Sequence, residues 1–234
     1  MSAFDDLSFS PEDFSGKVRL FPLPNLVLFP HVMQPLHIFE ARYRDLLEDA
    51  LAGDRLVAMA VLTAGWEKAY DGRPPLHPMA CLGQITTHVR LDDGTYNVLL
   101  LGLQRVRLVR EMQPVHRFRE AQVELCNDRY EACPASRQKA LRQQLHDRLI
   151  EVLPMLPEAQ EQLDQLLGSG IALGALTDVI SYMLDLDLAH KQSLLSEVDV
   201  YRRTELLLAH FAEAMAKQAA GRTEVGFPPE FSMN

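Results

Sequence analysis

Histidine, cysteine, arginine and paired acidic side chains are the groups in this 234-residue chain that could act on a ligand or hold an ion. His31 and His37 lie six residues apart, and Cys126 and Cys133 seven apart. Neither spacing matches the H-x-x-x-H or C-x-x-C patterns that converge on zinc. His77, His88 and His116 could meet only through folding, and a single histidine is ordinarily a surface or core residue. No metal site and no cofactor are therefore expected. Cys81 has no neighbour in sequence that would lower its thiol pKa, so it reads as a small core residue. Three sparse cysteines argue against a disulfide framework and fit a reducing compartment.

Carboxylate pairs occur at Asp92-Asp93 and at Asp185 with Asp187. The first pair falls in a turn and the second beside a helix start, so each has a structural reason to be there. Neither a G-x-x-x-x-G-K-[ST] phosphate loop nor a G-x-S-x-G nucleophile elbow is present, and Gly168-Ser169-Gly170 reads as a turn between helices. Arg105, Arg107, Arg110, Arg117 and Arg119 make a local basic cluster. It reads first as a solvated strand face balanced by Glu111, Glu120 and Glu124, with an anion or RNA contact as the alternative. Nine methionines are scattered singly on apolar faces and read as core filling.

The elements that must position these groups change texture once, near Asn127 to Ala135. Before that point, Val18 to Leu23, Leu26 to Phe29, Arg55 to Leu62, Leu82 to Leu91, Tyr96 to Leu101, Val106 to Val109 and Phe118 to Leu125 are short apolar or alternating runs that predict strands. Asp93-Gly94 supplies the positive backbone angles of a hairpin turn between two of them. Pro22, Pro24, Pro30 and Pro35 cannot donate to a sheet ladder, so the opening segments are edges, bends or bulges. One helix, Glu40 to Leu51, gathers Tyr43, Leu46, Leu47, Ala50 and Leu51 on one side, with Gly53 as a left-handed cap. Residues 65 to 80, rich in Gly and Pro, form a long connection.

After the change the chain is helical. Ser136 to Leu153 repeats Leu141, Leu145, Leu149 and Leu153 before Pro154 and Pro157 stop it, and a short helix spans Glu158 to Leu167. Leu173, Leu176, Ile180 and Met183 mark another apolar stripe, and Asp187 can cap a segment through Leu195. A last helix, about Asp199 to Gln218, turns Val200, Thr204, Leu207, Phe211 and Met215 inward. The expected organisation is a disordered tail over 1–16, a β-domain over 17–127, a helical bundle over 134–218 and a flexible tail over 219–234.

A hydrophobic share of 47% with 24% charged residues excludes disordered and fibrous classes. A formal net charge of -9 makes nucleic acid an unlikely partner, because phosphates are repelled overall. No run of 18 apolar residues would span a bilayer, and the acidic start lacks the character of a secretory signal, so a cytoplasmic, non-membrane protein is expected.

Leu20 to Pro30, L-F-P-L-P-N-L-V-L-F-P, and Pro35 to Tyr43, P-L-H-I-F-E-A-R-Y, resemble the start of the Lon protease N-terminal domain family. The hairpin Leu91 to Arg107 and the late helices, with Leu176 to Ile180, Lys191-Gln192, Leu194-Leu195 and Arg202 to Leu208, extend the resemblance over most of residues 17 to 215. A Lon-like domain is also found in cereblon, as part of an adaptor. The resemblance implies an α+β fold: a PUA-like twisted β-barrel or sheet domain with one packed helix, followed by a C-terminal α-helical bundle. Phe39, Glu40, Arg42 and Tyr43 match the family's F-E-x-R-Y signature, for which a scaffolding role is expected.

What the resemblance implies about function is recognition of unfolded polypeptide. The 234 residues contain neither the ATPase nor the serine-lysine protease domain of Lon, so a noncatalytic interaction module is expected. It would bind hydrophobic or unfolded segments of other proteins and serve as an adaptor for proteolysis or quality control, with avidity from a homo-oligomer. Phe29, His31, Met33, Phe39 and Tyr43 are the expected peptide-binding residues, and an edge made ragged by prolines could also accept a strand. The alternative is a small-molecule-binding protein or enzyme with a pocket at the junction of the two domains.

Overall fold

Residues 9–69, 72–152, 170–219 and 232–233 are described by a computed structural model of the chain. The contacts divide it into two units, Met1–Cys126 with Glu230–Asn234, and Asn127–Pro229.

The first unit is built of β1 (Lys17–Leu23), β2 (Met33–Ile38), α1 (Ala41–Ala52), β3 (Leu56–Val61), β4 (Met79–Arg90), β5 (Tyr96–Glu111), β6 (Arg119–Cys126) and β7 (Ser232–Met233). Strand order is β4-β3-β1-β6-β5-β2-β7, and a further pairing of β4 with β5 closes five of the strands into a ring. Among the described strands only β1 with β3 and β2 with β7 run parallel. All six residues of β3 are buried, as a strand flanked on both sides requires. Inside the ring lie Val18, Leu20, Leu56, Ala58, Ala60, Ala80, Leu82, Val106, Ala121 and Val123. Four alanines suit so narrow an interior, which side chains alone must fill.

Strand β5 organises the unit. Along one edge it pairs with β4, while its other edge serves β2 at residues 96–101 and β6 at residues 105–111. The two separate strands expected at Tyr96 to Leu101 and Val106 to Val109 are therefore one strand. Gly102 sits at the handover, where a Cβ would collide with the carbonyl oxygen of Phe29, and its backbone bonds the opening loop through His31 N to Gly102 O and Gly102 N to Val32 O, both 2.8 Å. Leu26 to Phe29 is that loop and forms no strand, whereas Met33–Ile38 does in spite of Pro35.

Two turn expectations change in detail. In the hairpin only Gly94 has a positive φ, 80°, and Asp93 does not. Gly94 N bonds Leu91 O at 3.0 Å and Leu91 N bonds Thr95 O at 2.9 Å, the pattern of a type I turn followed by a glycine bulge. At the end of α1, Gly53 is not left-handed (φ -117°); Arg55 takes that conformation instead, with φ 60°. Gly53 answers a different need, since a Cβ there would lie 3.1 Å from Arg19 Nη2. Arg19 passes close in order to pair with Asp49 and, at 2.7 Å, with Asp54.

The expected tails also change. Phe9 and Phe14 meet edge to face with ring centroids 5.9 Å apart and pack against the barrel core, so residues 9–16 are not a disordered tail. Ser232 and Met233 join the sheet, so residues 219–234 are not wholly outside the fold.

The second unit holds α2 (Ala135–Val152), α3 (Leu173–Met183), α4 (Leu188–Ser196) and α5 (Val200–Ala219). Helix α5 packs against the other three through Val200, Thr204, Leu207 and Phe211, each fully buried. Asp187 caps α4, its carboxylate accepting from His190 N at 2.8 Å. The helix expected over Glu158 to Leu167 and most of the Gly168-Ser169-Gly170 turn lie outside the described residues.

Candidate functional site

Strand β2 stands outside the five-stranded ring and is held by β5 along one edge. Its alternation is strict: Gln34, Leu36 and Ile38 are buried, while Met33, Pro35 and His37 face outward. Pro35 brings no N–H, in keeping with a strand beyond which, among the described residues, lies just the two-residue β7. Large apolar side chains mark both ends, Met33 at 43% exposure and Phe39 at 45%. His37 stacks on Phe39 at 6.2 Å and is anchored through Nδ1 to Asn97 Oδ1 at 2.9 Å. Its other edge carries β7 in parallel register, Leu36 opposite Ser232 and His37 opposite Met233.

Among the residues expected to touch a peptide, the structure brings Met33, Phe39 and His31 to the surface of this edge. Exposed His31 has a φ of 66°, which turns the chain from the Gly102 crossing into β2. Phe29 and Tyr43 are corrections. Phe29 is 0% exposed and Tyr43 2%, so both are core. Phe29 is buried because its loop is fastened under Gly102. Tyr43 stacks on Phe21 at 4.2 Å and donates its hydroxyl to Pro22 O at 2.9 Å, where it ties α1 to β1. Within the F-E-x-R-Y stretch, Glu40 pairs with Arg42 at 2.9 Å just ahead of α1, and the Arg42 guanidinium lies 4.7 Å from the Tyr43 ring centroid.

The arginine cluster is not one solvated face. Arg105 is 2% exposed and Arg119 8%. Arg119 forks onto Glu111, with Nε to Oε2 at 2.9 Å, and donates to Pro74 O at 2.9 Å, which fastens the long connection to β6. A cleft of about 250 Å³ gathers Arg42, Arg73, His116, Arg117 and Arg119. Carboxylates answer its cations: Glu40 meets Arg42, Glu111 meets Arg73 at 3.6 Å and Arg119, and Asp45 meets Arg117 at 3.9 Å. That neutralisation leaves little net positive charge for a polyanion.

The two carboxylate pairs stay structural in geometry. Asp93 accepts from Thr95 N at 2.9 Å and Thr95 Oγ1 at 2.6 Å, and these bonds hold its carboxyl below the ordinary range. Cys81 is 0% exposed in the barrel wall. Two arrangements in the helical unit escaped sequence reasoning. Arg203 is fully buried among acidic partners, and His190, His210 and Glu213 converge between α4 and α5. The H-x-x-E spacing of His210 and Glu213 was legible, but the third member belongs to another helix.

A barrel with one strand left over at its flank is followed along the chain by a helical unit. The family model of the ATP-dependent protease La (LON) substrate-binding domain matches residues 17–213, and the chain belongs to that family. It is 26% identical over 197 residues to Lon protease 2 of Myxococcus xanthus, covering 84% of this chain and 24% of that one. With the Lon protease of Paraburkholderia phytofirmans it shares 29% identity over 211 residues, 88% of this chain and 24% of the relative. The chain thus spans about a quarter of the length of these curated relatives. Among solved structures, the N-terminal domain of Mycobacterium avium complex Lon protease superposes with a TM-score of 0.66 at 19% identity, covering 84% of this chain and 98% of that one. A Lon N-terminal domain protein from Xanthomonas campestris gives 0.60 at 24% identity, over 82% and 97%. These likenesses establish the α+β fold of the Lon N-terminal domain. No helix among the described residues is long and apolar enough to cross a membrane.

Proposed function

We propose that the chain recognises hydrophobic or unfolded polypeptide by receiving an extended segment along the outer edge of β2, in place of Ser232–Met233, without chemistry of its own. The observation that carries this reading is the seat of β7: the edge already takes a short extended segment, Ser232–Met233, in parallel register. Backbone bonding of this kind is indifferent to sequence, which suits clients that share no motif. Selectivity for apolar segments would come from Met33 and Phe39 at the ends of the strand, with His31 and His37 beside them. The family's substrate-binding description supports the same reading.

Two apolar anchors at about 1.5 to 3 kcal/mol each, less the cost of ordering the segment, give weak single-site binding. Effective capture would draw on several sites at once, through a homo-oligomer or a larger partner, and in that setting the module would act as an adaptor that presents clients for proteolysis or refolding. The test is polarisation of labelled extended peptides against the full chain. Apolar peptides should bind and be competed by a destabilised client protein. Equal binding of a scrambled polar peptide would remove the reading.

A further inference from the structure

We infer that His190, His210 and Glu213 form a binding site for one divalent transition-metal ion of the zinc class, clipping α4 to α5. One ligand atom from each lies within 4.8 Å of the others.

Asp187 sets the first ligand. Its Oδ1 stands 2.8 Å from His190 Nδ1 while also capping α4. A carboxylate at Nδ1 fixes the proton there and leaves Nε2 with its lone pair, the arrangement in which metal-bound histidines are held. That Nε2 faces Glu213 Oε2 at 3.7 Å. Two acceptors so placed call for a cation between them. Two ligands of a tetrahedral zinc ion, each about 2.0 to 2.1 Å from the metal, stand about 3.3 Å apart, so this pair needs to close by only a few tenths of an ångström.

His210 completes the set. Its ring centroid is 4.1 Å from that of His190, and both of its nitrogens are buried without a hydrogen-bond partner. Buried polar atoms are paired in folded proteins, so two orphaned nitrogens on one ring ask for a ligand. His210 and Glu213 share one face of α5 at i and i+3. The site is open on one side, with 58% exposure of the Glu213 side chain and 30% of His190, which gives an ion a way in and leaves a coordination position for water. Two imidazoles with one carboxylate suit zinc or its neighbours better than calcium or magnesium, which prefer oxygen.

The competing occupant is a proton that makes His190 an imidazolium between Asp187 and Glu213, and the experiment separates the two. Full-length protein carrying Cys126→Ser and Cys133→Ser, to silence surface thiols, is freed of metal and titrated with Zn²⁺ by calorimetry and with Co²⁺ by absorption. One equivalent should bind, Co²⁺ should show ligand-field bands, and Zn²⁺ should raise the thermal midpoint. Asp187→Asn, which keeps a capping side chain, should weaken binding by about 10- to 100-fold. Glu213→Gln, at an exposed position with no folding role, should weaken it at least as much, and His210→Ala should abolish the midpoint shift. No saturable binding, or undiminished affinity in Glu213→Gln, would overturn the site.

Discussion

Arg203 and Asp178 are both wholly buried and stand 3.2 Å apart, Nε to Oδ1, between α5 and α3. The same guanidinium reaches Asp128 at 2.8 Å and donates to Glu197 O at 2.8 Å, so one cation gathers the entry to the helical unit and two of its helices. Thr177 and Thr204 add a buried hydroxyl pair at 3.0 Å beside it. Helix α3 can come this close only because residue 174 is glycine: a Cβ there would collide with Asp128 Oδ2 and lie 3.1 Å from Arg203 Nη2.

Removing one side of a buried ion pair strands the other charge, at a cost of about 3 to 5 kcal/mol. Arg203→Met should lower the unfolding free energy by that amount, read as a lower urea midpoint, without altering the barrel. Gly174→Ala should destabilise through the collision, by about 1 to 3 kcal/mol. Chemical denaturation followed by circular dichroism measures both, and wild-type stability in either would show that the ion network is dispensable.

The β2 edge makes a contrast within one stretch of sequence. Phe29→Ala empties a core position and should cost about 3 to 5 kcal/mol in stability. Met33→Asp and Phe39→Asp alter exposed positions, should shift stability by no more than about 0.5 kcal/mol, and should still weaken capture of apolar peptide. Peptide titration of folded Phe39→Asp with unchanged affinity would place recognition elsewhere.

Ser232–Met233 occupy the edge that a client would use. A chain ended at residue 229 should therefore bind extended peptide about twofold more tightly or better, since the apparent dissociation constant scales inversely with the fraction of open sites. Polarisation with the full and shortened chains compares the two directly. Unchanged affinity would separate the tail from the binding edge.

Bonds from the Thr95 side chain, then from its backbone, hold Asp93 below its ordinary pKa of 3.8. A carboxyl lowered in the folded state adds stability that is present above the unfolded value and is lost as pH falls through the lowered one. Thr95→Val should bring the Asp93 carboxyl back toward 3.8 and flatten the acid-side loss attributable to this turn, as followed by carboxyl NMR titration. The sign would be wrong if the variant's Asp93 titrated lower than the parent's.

Local signals were legible and crossings were not. The Asp93-Gly94 hairpin, the Asp187 cap and the inward face of α5 follow from residue types a few positions apart. Strand β2 was concealed by Pro35, which is tolerated near the rim of the sheet, with just the two-residue β7 beyond it among the described residues. The unity of β5 was concealed by Gly102, whose small size serves a loop 70 residues earlier rather than a break in the strand. Phe29 and Met33 look alike as apolar residues near a proline, and only the handover along β5 buries one and exposes the other. The same limit hid Arg203, since pairing with Asp128 and Asp178 joins residues far apart in the chain.

Closure of the ring by β4 on β5 has a consequence for how much this module can hold. Strands sealed against one another offer no template for further growth, so lateral extension among the described residues is confined to a single flank. On the proposed reading each copy would offer a guest that one flank, the side on which Ser232–Met233 now lie.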